Sequence, residues 1–360
     1  MRSGVAELPL HPGKAPPWLF KRMVSLAKEI TGILCVEYGP NEFLKRISDP
    51  YWFQAISCVL GYDWHSSGTT TVTCGALKVA INSEFGIAVL GGKGSASRKT
   101  PSEIDAIAEK FSFSDSKINE LKRASKLSAK VDSAVLQDGY SLYHHSFLVT
   151  ESGNWAVIQQ GMNEKTGYAR RYHWLKPESF VCDPHNAVCC DMVGKALNMA
   201  AGESEDARNC SVDIVCDSPS KLKSLISNLT GQSTLFDYDI PDLKMPREHW
   251  MDIKKYSALF EAHEFQPKNY EELISFPGIG AKNIRALALI SKLIYGSEVS
   301  WRDPVKYSFA HGGKDGIPYP VDKPIMDKSI EILHEAIQNA KIGEKEKLNA
   351  IKKLSAFETY

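Results

Sequence analysis

The stretch Leu-Ile-Ser-Phe-Pro-Gly-Ile-Gly-Ala-Lys-Asn-Ile-Arg-Ala-Leu-Ala-Leu-Ile-Ser-Lys-Leu-Ile-Tyr, residues 273–295, decides how the C-terminal part of this 360-residue chain folds. Pro277, Gly278 and Gly280 interrupt two apolar runs, and glycine adopts positive φ angles at little steric cost. The pattern predicts a helix, a tight hairpin and a second helix. No acidic residue occurs between positions 277 and 292, so the turn and the second helix are basic.

The second helix has an apolar face and a basic one. Ile284 and Leu287 recur at helical spacing, while Lys282 and Arg285 fall on or near the opposite side. The turn resembles the helix-hairpin-helix motif, which offers backbone N–H groups at a helix N-terminus to a DNA phosphate without reading sequence. The resemblance implies a DNA-binding element made of Pro277, Gly278, Ile279, Gly280, Lys282 and Arg285. An ordinary helical hairpin with a glycine turn is the alternative.

The overall composition is that of a soluble globular protein with more than one domain. Single cores rarely grow beyond about 250 to 300 residues, so this length predicts two or three domains. The chain is 43% hydrophobic and 24% charged, which are ordinary values. Lys+Arg and Asp+Glu both number 43. Any affinity for nucleic acid must therefore come from local basic patches.

Cysteine usage and hydropathy indicate a cytoplasmic protein. The eight cysteines contain no C-x-x-C pair, and the N-terminus lacks the basic and apolar regions of a secretion signal. We therefore expect reduced thiols. No run of 18 apolar residues occurs, so we expect no membrane partner. Cys182, His185, Cys189 and Cys190 match no common zinc spacing, and we interpret these cysteines as buried thiols.

Two polar segments in the N-terminal half are candidate phosphate sites. The first is residues 63–71, which precede a helix predicted at 72–81. Hydroxyl side chains at a helix start cap it and line an anion site. The candidate residues here are His65, Ser66, Ser67 and Thr69. Plain N-capping is the alternative.

The second candidate is the glycine-rich segment 91–99, which follows a short predicted strand. It carries Lys93, Arg98 and Lys99 and no acid, so its backbone can approach a phosphate closely. It lacks the spacing of a nucleotide-binding P-loop. Residues 100–103, Thr-Pro-Ser-Glu, then predict a helix start with a capping box. A mobile surface turn is the alternative.

Residues 142–149 and 155–163 predict a β-hairpin, because the turn Glu-Ser-Gly-Asn at 151–154 separates two strand-like runs. Successive side chains of a strand point to opposite faces. Tyr143 and His145 should therefore share one face of the hairpin, and His144 should lie on the other.

Residues that can carry chemistry gather in and after this hairpin. The consecutive amides Gln159 and Gln160 must point to opposite faces, so at least one needs a buried partner. Residues 165–176 interleave basic and aromatic side chains without an acid, which suits phosphate contact with base stacking. The candidate catalytic residues are Asp138, His144, His145, Gln159, Gln160, Arg170, Arg171 and His173. An inert polar hairpin face is the alternative.

Three other segments complete the prediction of local structure. A helix from about 116 to 136 carries several basic residues, which we interpret as an ordinary solvated face. They are Lys117, Lys122, Arg123, Lys126 and Lys130. We also predict a helix from 183 to about 205 and a strand at 212–216.

The predicted fold class is α+β with two domains. Residues 1–235 form a mixed α/β domain with a small, largely antiparallel sheet. Residues 236–246 are rich in proline and aspartate and predict a linker. Residues 247–360 form an all-helical domain that contains the helix-hairpin-helix and a turn-rich insert at 301–323.

Motifs spread over the chain resemble one family of archaeal and bacterial proteins, catalogued as domain of unknown function 763. They are Asp63–Gly68, Gly91–Gly94, Asp138–Tyr140 with His144 and His145, Gln159–Asn163 and Ala169–Trp174. The resemblance runs from about Leu8 to Gly312. It indicates kinship and implies no catalytic residue.

The first functional hypothesis is a metal-dependent nuclease that acts in DNA repair or recombination. Phosphodiester hydrolysis needs an activated water and positive charge at the phosphate, commonly supplied by a metal held by carboxylates. Asp138 and Glu151 would bind Mg²⁺ or Mn²⁺, and His144 or His145 would act as general base. Arg170 and Arg171 would stabilise the developing charge, with Gln159, Gln160 and His173 around them.

Two alternatives remain. The C-terminal unit is also similar to the helix-hairpin-helix DNA glycosylases, and that resemblance implies Lys282 as the nucleophile at the sugar and Asp322 as the catalytic aspartate. However, these residues are about twice as far apart in the sequence as is usual, and the iron–sulfur cysteines are absent. A non-catalytic, structure-specific DNA-binding protein is the other alternative. Under all three hypotheses the partner is DNA, and the sequence does not distinguish DNA from RNA.

Overall fold

The structure is a computed structural model in which not every residue is described. The described residues are 15–61, 67–190, 193–218, 220–222, 224–225, 257–305, 323–340, 343, 347–348, 350–352 and 354. The predicted linker at 236–246 lies outside them. So do His65, Ser66 and Asp322 among the candidate site residues.

Helices form most of the described chain. They are α1 (Pro17–Tyr38), α2 (Pro40–Ser48), α3 (Pro50–Leu60), α4 (Gly68–Ala80), α5 (Thr100–Phe111), α6 (Asp115–Lys130), α7 (Glu205–Cys216), α8 (Ser257–Phe265), α9 (Tyr270–Ser275), α10 (Ala281–Leu293) and α11 (Lys323–Asn339). A π-helical turn, Val131–Val135, continues α6. No helix in the described part of the chain is long and apolar enough to span a bilayer.

The strands form two antiparallel sheets. They are β1 (Ile87–Lys93), β2 (Leu136–Gln137), β3 (Ser141–Thr150), β4 (Trp155–Asn163), β5 (Tyr168–Leu175), β6 (Ala187–Cys189), β7 (Lys195–Asn198) and β8 (Ser300–Arg302). The large sheet has the order β1-β3-β4-β5-β6, and the small sheet has the order β2-β7-β8. The fold is therefore mixed α+β with a small antiparallel sheet, as predicted.

The predicted β-hairpin is confirmed as β3 and β4 at the centre of the large sheet. Phe147 pairs with Val157 and His145 with Gln159. A β-bulge between Leu142 and His144 shifts the register at the start of β3. Because a bulge reverses the facing of the residues before it, the period of two fails there.

Both faces of the large sheet are covered by helices. One hydrophobic core joins α1 to α4 and α11 to one face, through side chains such as Leu148 and Ile158. The other core joins α5 to α10 to the opposite face, through side chains such as Phe147 and Trp174. The central strands are consequently buried on both sides, so polar residues on them must find partners in the interior.

The described part of the segment beyond residue 247 is not all-helical, contrary to the prediction. Ser300–Arg302 forms strand β8, which pairs with β7. In addition, Leu259, Leu273 and Leu287 belong to the same hydrophobic core as the large sheet. Burial against the sheet therefore makes α8 to α10 part of the central core.

Two other predictions of secondary structure are wrong. The predicted helix at 183–205 contains strands β6 and β7, because two short apolar runs there pair with β5 and with β2. The predicted strand at 212–216 is the end of helix α7, whose Ala207, Ser211 and Ile214 form one buried face. In both segments tertiary contacts, strand pairing in the first and helix packing in the second, outweigh local propensity.

The capping box predicted at residues 100–103 does not form. Helix α5 starts at Thr100 with proline in its first turn, but its N-terminus has no side-chain cap. Glu103 instead accepts a hydrogen bond from the Gly91 N–H at 2.7 Å and pairs with Lys78 at 2.7 Å. The carboxylate therefore holds β1 to α4 and is not available to α5.

Candidate functional site

The turn between α9 and α10 is a β-turn that requires glycine. The Ile279 N–H donates to the Phe276 carbonyl at 3.3 Å. Gly278 has φ of 83°, as the third position of a type II turn with a preceding proline demands. A Cβ on Gly278 would also lie 2.9 Å from the Ala258 Cβ. The structure confirms a tight glycine turn between two helices.

The N-terminus of α10 faces open space. The helix starts at Ala281, and no side chain caps it. The first N–H groups of a helix have no intrahelical partner, and they form the positive end of the helix dipole. No described atom lies within 4 Å of a Cβ built on Gly280. Pro277 and Lys282 are exposed on either side, whereas Ile279 is buried and anchors the turn.

Helix α6 lies directly against this turn. Lys126 Nζ donates to the Ser275 carbonyl at 3.2 Å, and Lys130 Nζ donates to the Ile279 carbonyl. Burial, and secondly the charge of Lys126, lower the pKa of Lys130. Neither lysine is within ion-pair distance of a described carboxylate, so their charges add to the positive potential around the turn.

Arg285, a predicted DNA-binding residue, is partly buried and fixes the position of α10 through hydrogen bonds. Its Nε donates to Gln137 Oε1 at 2.8 Å, and Gln137 Nε2 donates to the Ala281 carbonyl at 2.8 Å. Burial lowers the pKa of Arg285. The side chain thus ties the start of α10 to strand β2.

A groove of about 440 Å³ runs between α6 and the turn. Leu127, Phe265, Phe276 and Pro277 supply its apolar lining. Its polar and charged lining consists of Lys122, Arg123, Lys126, Glu272 and Ser275. The turn therefore sits at the edge of a concave surface that is apolar at its base and mostly basic at its rim.

The predicted catalytic residues lie on two opposite faces of the large sheet and do not converge on one cleft. His145, Gln159 and Arg170 lie on the face covered by α6, and His144, Gln160, Arg171 and His173 lie on the face covered by α3 and α4. Each of these side chains is at most 4% exposed. Alternation along the strands makes this separation unavoidable.

On the α6 face, a continuous chain of hydrogen bonds crosses the interior. Ser125 Oγ bonds His145 Nε2 at 2.9 Å, and His145 Nδ1 bonds Gln159 Oε1 at 2.8 Å. The Gln159 amide then donates to Asp132, whose second oxygen bonds His185 Nε2. Since Gln159 accepts at Oε1, His145 carries its proton on Nδ1. Burial lowers the pKa of His145 to about 4, and the hydrogen bond that His145 donates to Gln159 opposes this shift.

The π-helical turn after α6 places Asp132 at the centre of this network. Asp132 is 1% exposed and also accepts a hydrogen bond from Trp174 Nε1 at 2.9 Å. Single π-helical turns are often found at functional sites. Here the turn redirects the chain so that a carboxylate from the α6 layer reaches the sheet, where it orients His185.

On the opposite face, Arg171 is buried among polar and aromatic groups. Its Nε donates to His173 Nε2 at 2.8 Å, its guanidinium lies 3.4 Å from Gln54 Oε1, and it stacks 4.4 Å from the Phe53 ring centroid. Burial and then the Arg171 charge lower the pKa of His173 well below its ordinary value. His173 is therefore a neutral acceptor that stabilises a buried cation.

The hydroxyl-rich start of α4 is turned inward, onto Gln160. The Thr70 hydroxyl donates to Gln160 Oε1, and Gln160 Nε2 donates to the Ser67 carbonyl at 2.7 Å and to the Tyr143 hydroxyl. Ser67 and Thr69 are buried. These two predicted DNA-binding residues therefore pack in the interior. Tyr143 joins this face because of the β-bulge and does not share a face with His145.

The basic side chains of the glycine-rich segment after β1 are exposed. Lys93, Arg98 and Lys99 all reach solvent. Lys93 lies 5.8 Å from the Tyr143 ring centroid. The segment forms a short 3₁₀ turn at Gly94–Lys99 and contributes positive charge at the end of the large sheet.

Asp138 is held in a buried ionic cluster. Its carboxylate accepts hydrogen bonds from Arg170 Nη1 at 2.9 Å and from the Tyr172 hydroxyl at 2.7 Å. Arg170 also makes a two-pronged contact with Asp303, at 3.0 and 2.8 Å. Burial raises the pKa of the Asp138 carboxyl, and the Arg170 charge opposes the rise. Two predicted catalytic residues thus neutralise each other.

The predicted metal ligands do not form one centre. Asp138 precedes β3 and Glu151 follows it, and a ten-residue strand is roughly 30 Å long. A metal ion bound by both carboxylates would require them within about 5 Å of each other. Among the residues that the structure describes, no three His, Cys, Asp or Glu side chains lie close enough together to hold a metal ion.

Sequence reasoning missed the role of α6. Lys122, Lys126 and Lys130 recur every four residues, which places them on one stripe of the helix. That regularity was available in the sequence, but the partner of the stripe was not, because the turn lies about 150 positions away. Asp132 and His185 were also missed, since a π-helical turn has no simple sequence signal.

Comparison with known proteins identifies the family of the chain. A family profile described as "Protein of unknown function (DUF763)" matches residues 4–321. No curated protein and no solved structure shows significant similarity to the chain. Since the match covers most of the sequence, including every element from α1 to β8, the chain belongs to the DUF763 family.

Proposed function

We propose that this protein binds DNA through the phosphate backbone, at a helix-hairpin-helix element formed by α9, the turn at 276–280 and α10. The observation that carries the proposal is the exposed, uncapped start of α10 beside Lys126 and Lys130. A helix start without a side-chain cap and positive charge at the same place form a phosphate site. Such contacts do not read base sequence, so binding should be sequence-independent.

The two helices of the element differ at their N-termini. Helix α9 is capped, because the Asn269 side chain accepts from the Glu272 N–H at 2.9 Å. Helix α10 has glycine at the equivalent position and no such cap. Leaving that cap out costs a few tenths of a kcal/mol or more. It also leaves the N–H groups available to an anion.

The direct test replaces the two lysines. In the Lys126→Gln/Lys130→Gln double variant, we expect weaker binding to duplex and single-stranded DNA and a less steep dependence of log K on log salt. The slope should fall by about 2, since each phosphate contact contributes roughly 0.9. Lys28→Gln is the matched control, because Lys28 is exposed on α1 on the far side of the sheet. Equal affinities and slopes for all three proteins would overturn the proposal.

A metal-dependent nuclease stays a second proposal, and the structure changes how it should be tested. Asp138→Ala would leave Arg170 with one of its two buried carboxylates, so lost cleavage could reflect unfolding. Asp138→Asn keeps the shape of the side chain. The wild type and this variant should be incubated with single-stranded, duplex and branched DNA in Mg²⁺ or Mn²⁺, against EDTA. Absence of any metal-dependent product from the wild type would exclude this activity.

The glycosylase/lyase alternative has its own test. Lys282 is exposed in the first turn of α10, where an amine could reach a sugar carbon of a strand bound at the turn. Attack by that amine would form a Schiff base that borohydride reduces to a stable adduct. We expect no trapped adduct with abasic DNA. An adduct that disappears in Lys282→Gln would favour the lyase instead.

A further inference from the structure

The groove beside the turn has a base suited to a flat ring. Phe265 ends helix α8 with 55% of its surface exposed. Its ring centroid lies 5.4 Å from that of Phe276, which flanks the turn. Leu127 and Pro277 complete the apolar lining. The groove volume, about 440 Å³, falls in the range of sites that bind one small molecule or nucleotide.

The rim of the groove is suited to bind successive phosphates of a polynucleotide backbone. Lys122 and Lys126 lie one helical turn apart on α6, and Lys130 continues the same row to the turn. Successive members of the row are about 6 Å apart along the helix axis, which is close to one step of an extended polynucleotide. Lys122 is paired with Asp105 at 2.6 Å. Lys126 donates to the Ser275 carbonyl and forms no ion pair with a described carboxylate.

Glu272, the one acidic residue in the lining, does not cancel the positive charge of this row of lysines. Glu272 is held by the Lys268 N–H at 2.8 Å, in the first turn of α9, where the helix dipole favours a carboxylate. Arg123 is paired with Glu271 and stacks 5.5 Å from the Phe180 ring centroid. Lys126 and Lys130, which form no ion pair with a described carboxylate, therefore keep positive charge along α6, and Glu272 can accept a hydrogen bond from a base amino group.

We propose that this groove holds an unstacked nucleobase against Phe265 and Phe276, so that the preferred ligand is single-stranded DNA whose backbone runs along α6 to the turn. The proposal rests on the proposed function, because it assigns the strand type to the same surface. Base stacking on aromatic side chains is insensitive to sequence and is unavailable to a paired, stacked base. The exposed phenyl ring and the row of lysines then serve one ligand.

The test compares an oligothymidine with a duplex of equal length, using fluorescence anisotropy of end-labelled DNA and the full chain. Phe265→Ala should weaken binding of the single strand by about 5- to 150-fold, the usual range for one lost stacking contact. It should change duplex binding by less than about twofold. Phe265→Leu, which keeps apolar bulk without a ring, should lose nearly as much. Trp18→Ala removes an equally exposed aromatic ring on α1 and should change neither.

The outcomes separate the two proposals. If Phe265→Ala weakens both ligands equally or neither, while the wild type still binds DNA, the base-binding groove is wrong and the backbone site stands. If the wild type binds neither ligand at low salt, the proposed function fails and this inference fails with it. Thermal unfolding of each variant shows whether a loss of binding is a loss of fold.

Discussion

At the scale of single residues, Gly280 allows stability and binding to be separated. It occupies the N-cap position of α10 with extended backbone, and no described atom would contact a side chain there. Gly278 is different, because its positive φ and the nearby Ala258 both resist substitution. A substitution at Gly278 would disturb the fold. A substitution at Gly280 would leave the fold intact and test whether the N-terminus of α10 binds DNA.

We predict that Gly280→Asp abolishes or strongly weakens DNA binding without loss of stability. Aspartate is a good N-cap, so Tm should stay equal or rise slightly. Its carboxylate would sit where a phosphate is expected, and like charges about 4 Å apart repel by roughly 1 to 4 kcal/mol at surface-like dielectric constants. Affinity should therefore fall by about fivefold or more.

Gly280→Asn is the matched control, since it caps the helix without a charge. It should bind DNA more tightly than the aspartate variant at low salt. The account would be contradicted if Gly280→Asp bound DNA as well as the wild type while remaining folded.

Asp132 is the residue on which the interior network depends. We predict that Asp132→Asn lowers the free energy of unfolding by about 1 to 3 kcal/mol, because an amide has one acceptor oxygen where the buried carboxylate has two. Urea unfolding with an unchanged m-value would measure this. Asp105→Asn, which removes an exposed partner of Lys122, should cost less than about 1 kcal/mol. Equal effects of the two variants would argue against the network.

At the scale of elements, strand β3 carries two adjacent histidines, His144 and His145, whose side chains lie on opposite faces of the sheet. Both are buried, and burial keeps both neutral. Burial lowers the pKa of His144 to about 3 and that of His145 to about 4. The ordinary value in an unfolded chain is about 6.5. Both groups bind protons more tightly in the unfolded state. Their contribution to stability is therefore complete above pH 6.5 and is lost progressively as pH falls towards 4.

We predict that the free energy of unfolding decreases between pH 6.5 and 4 with a slope that approaches three protons, because burial also lowers the pKa of His173 on β5. Chemical denaturation at several pH values measures this slope. His145→Gln cannot be protonated in this range and should show a shallower slope, even if it is less stable throughout. A wild-type stability that is flat or rises on acidification would contradict the burial of these histidines.

The elements that could be predicted from sequence are those with a strong local signal. Two strand-like runs around a glycine turn predicted β3 and β4, and Pro277 with Gly278 predicted the turn between α9 and α10. Strands β6, β7 and β8 could not be predicted, since each has only three or four residues and forms by pairing with distant partners. The division of the candidate site between two faces followed from alternation. Burial of both faces did not, because it depends on which helices cover the sheet.

At the scale of the whole molecule, the C-terminal helices and the large sheet share one core. Leu259, Leu273, Ile284 and Leu287 belong to the same buried cluster as Phe147 and Trp174. The Arg170 cluster adds a second link, because Asp303, next to β8, closes it. The site therefore depends on contacts between parts of the chain more than 100 positions apart.

We predict that residues 1–235 alone do not form a cooperative folded unit. Their sheet would expose the apolar surface that α8 to α10 cover, and Arg170 would lose one of its carboxylates. The fragment should bind a hydrophobic dye and lack a sharp thermal transition, whereas the full chain should unfold cooperatively. A soluble, monomeric fragment with a cooperative transition would instead establish residues 1–235 as a separate domain.

The central claim is that the turn at 276–280 and helix α6 together form a polynucleotide interface. Hydrogen–deuterium exchange of the full chain, with and without saturating single-stranded DNA, tests it most directly. We predict that DNA slows exchange in peptides covering residues 276–283 and 122–130, and that peptides from α1 are unaffected. Protection confined to other regions, or no protection under conditions in which DNA is bound, would contradict the account.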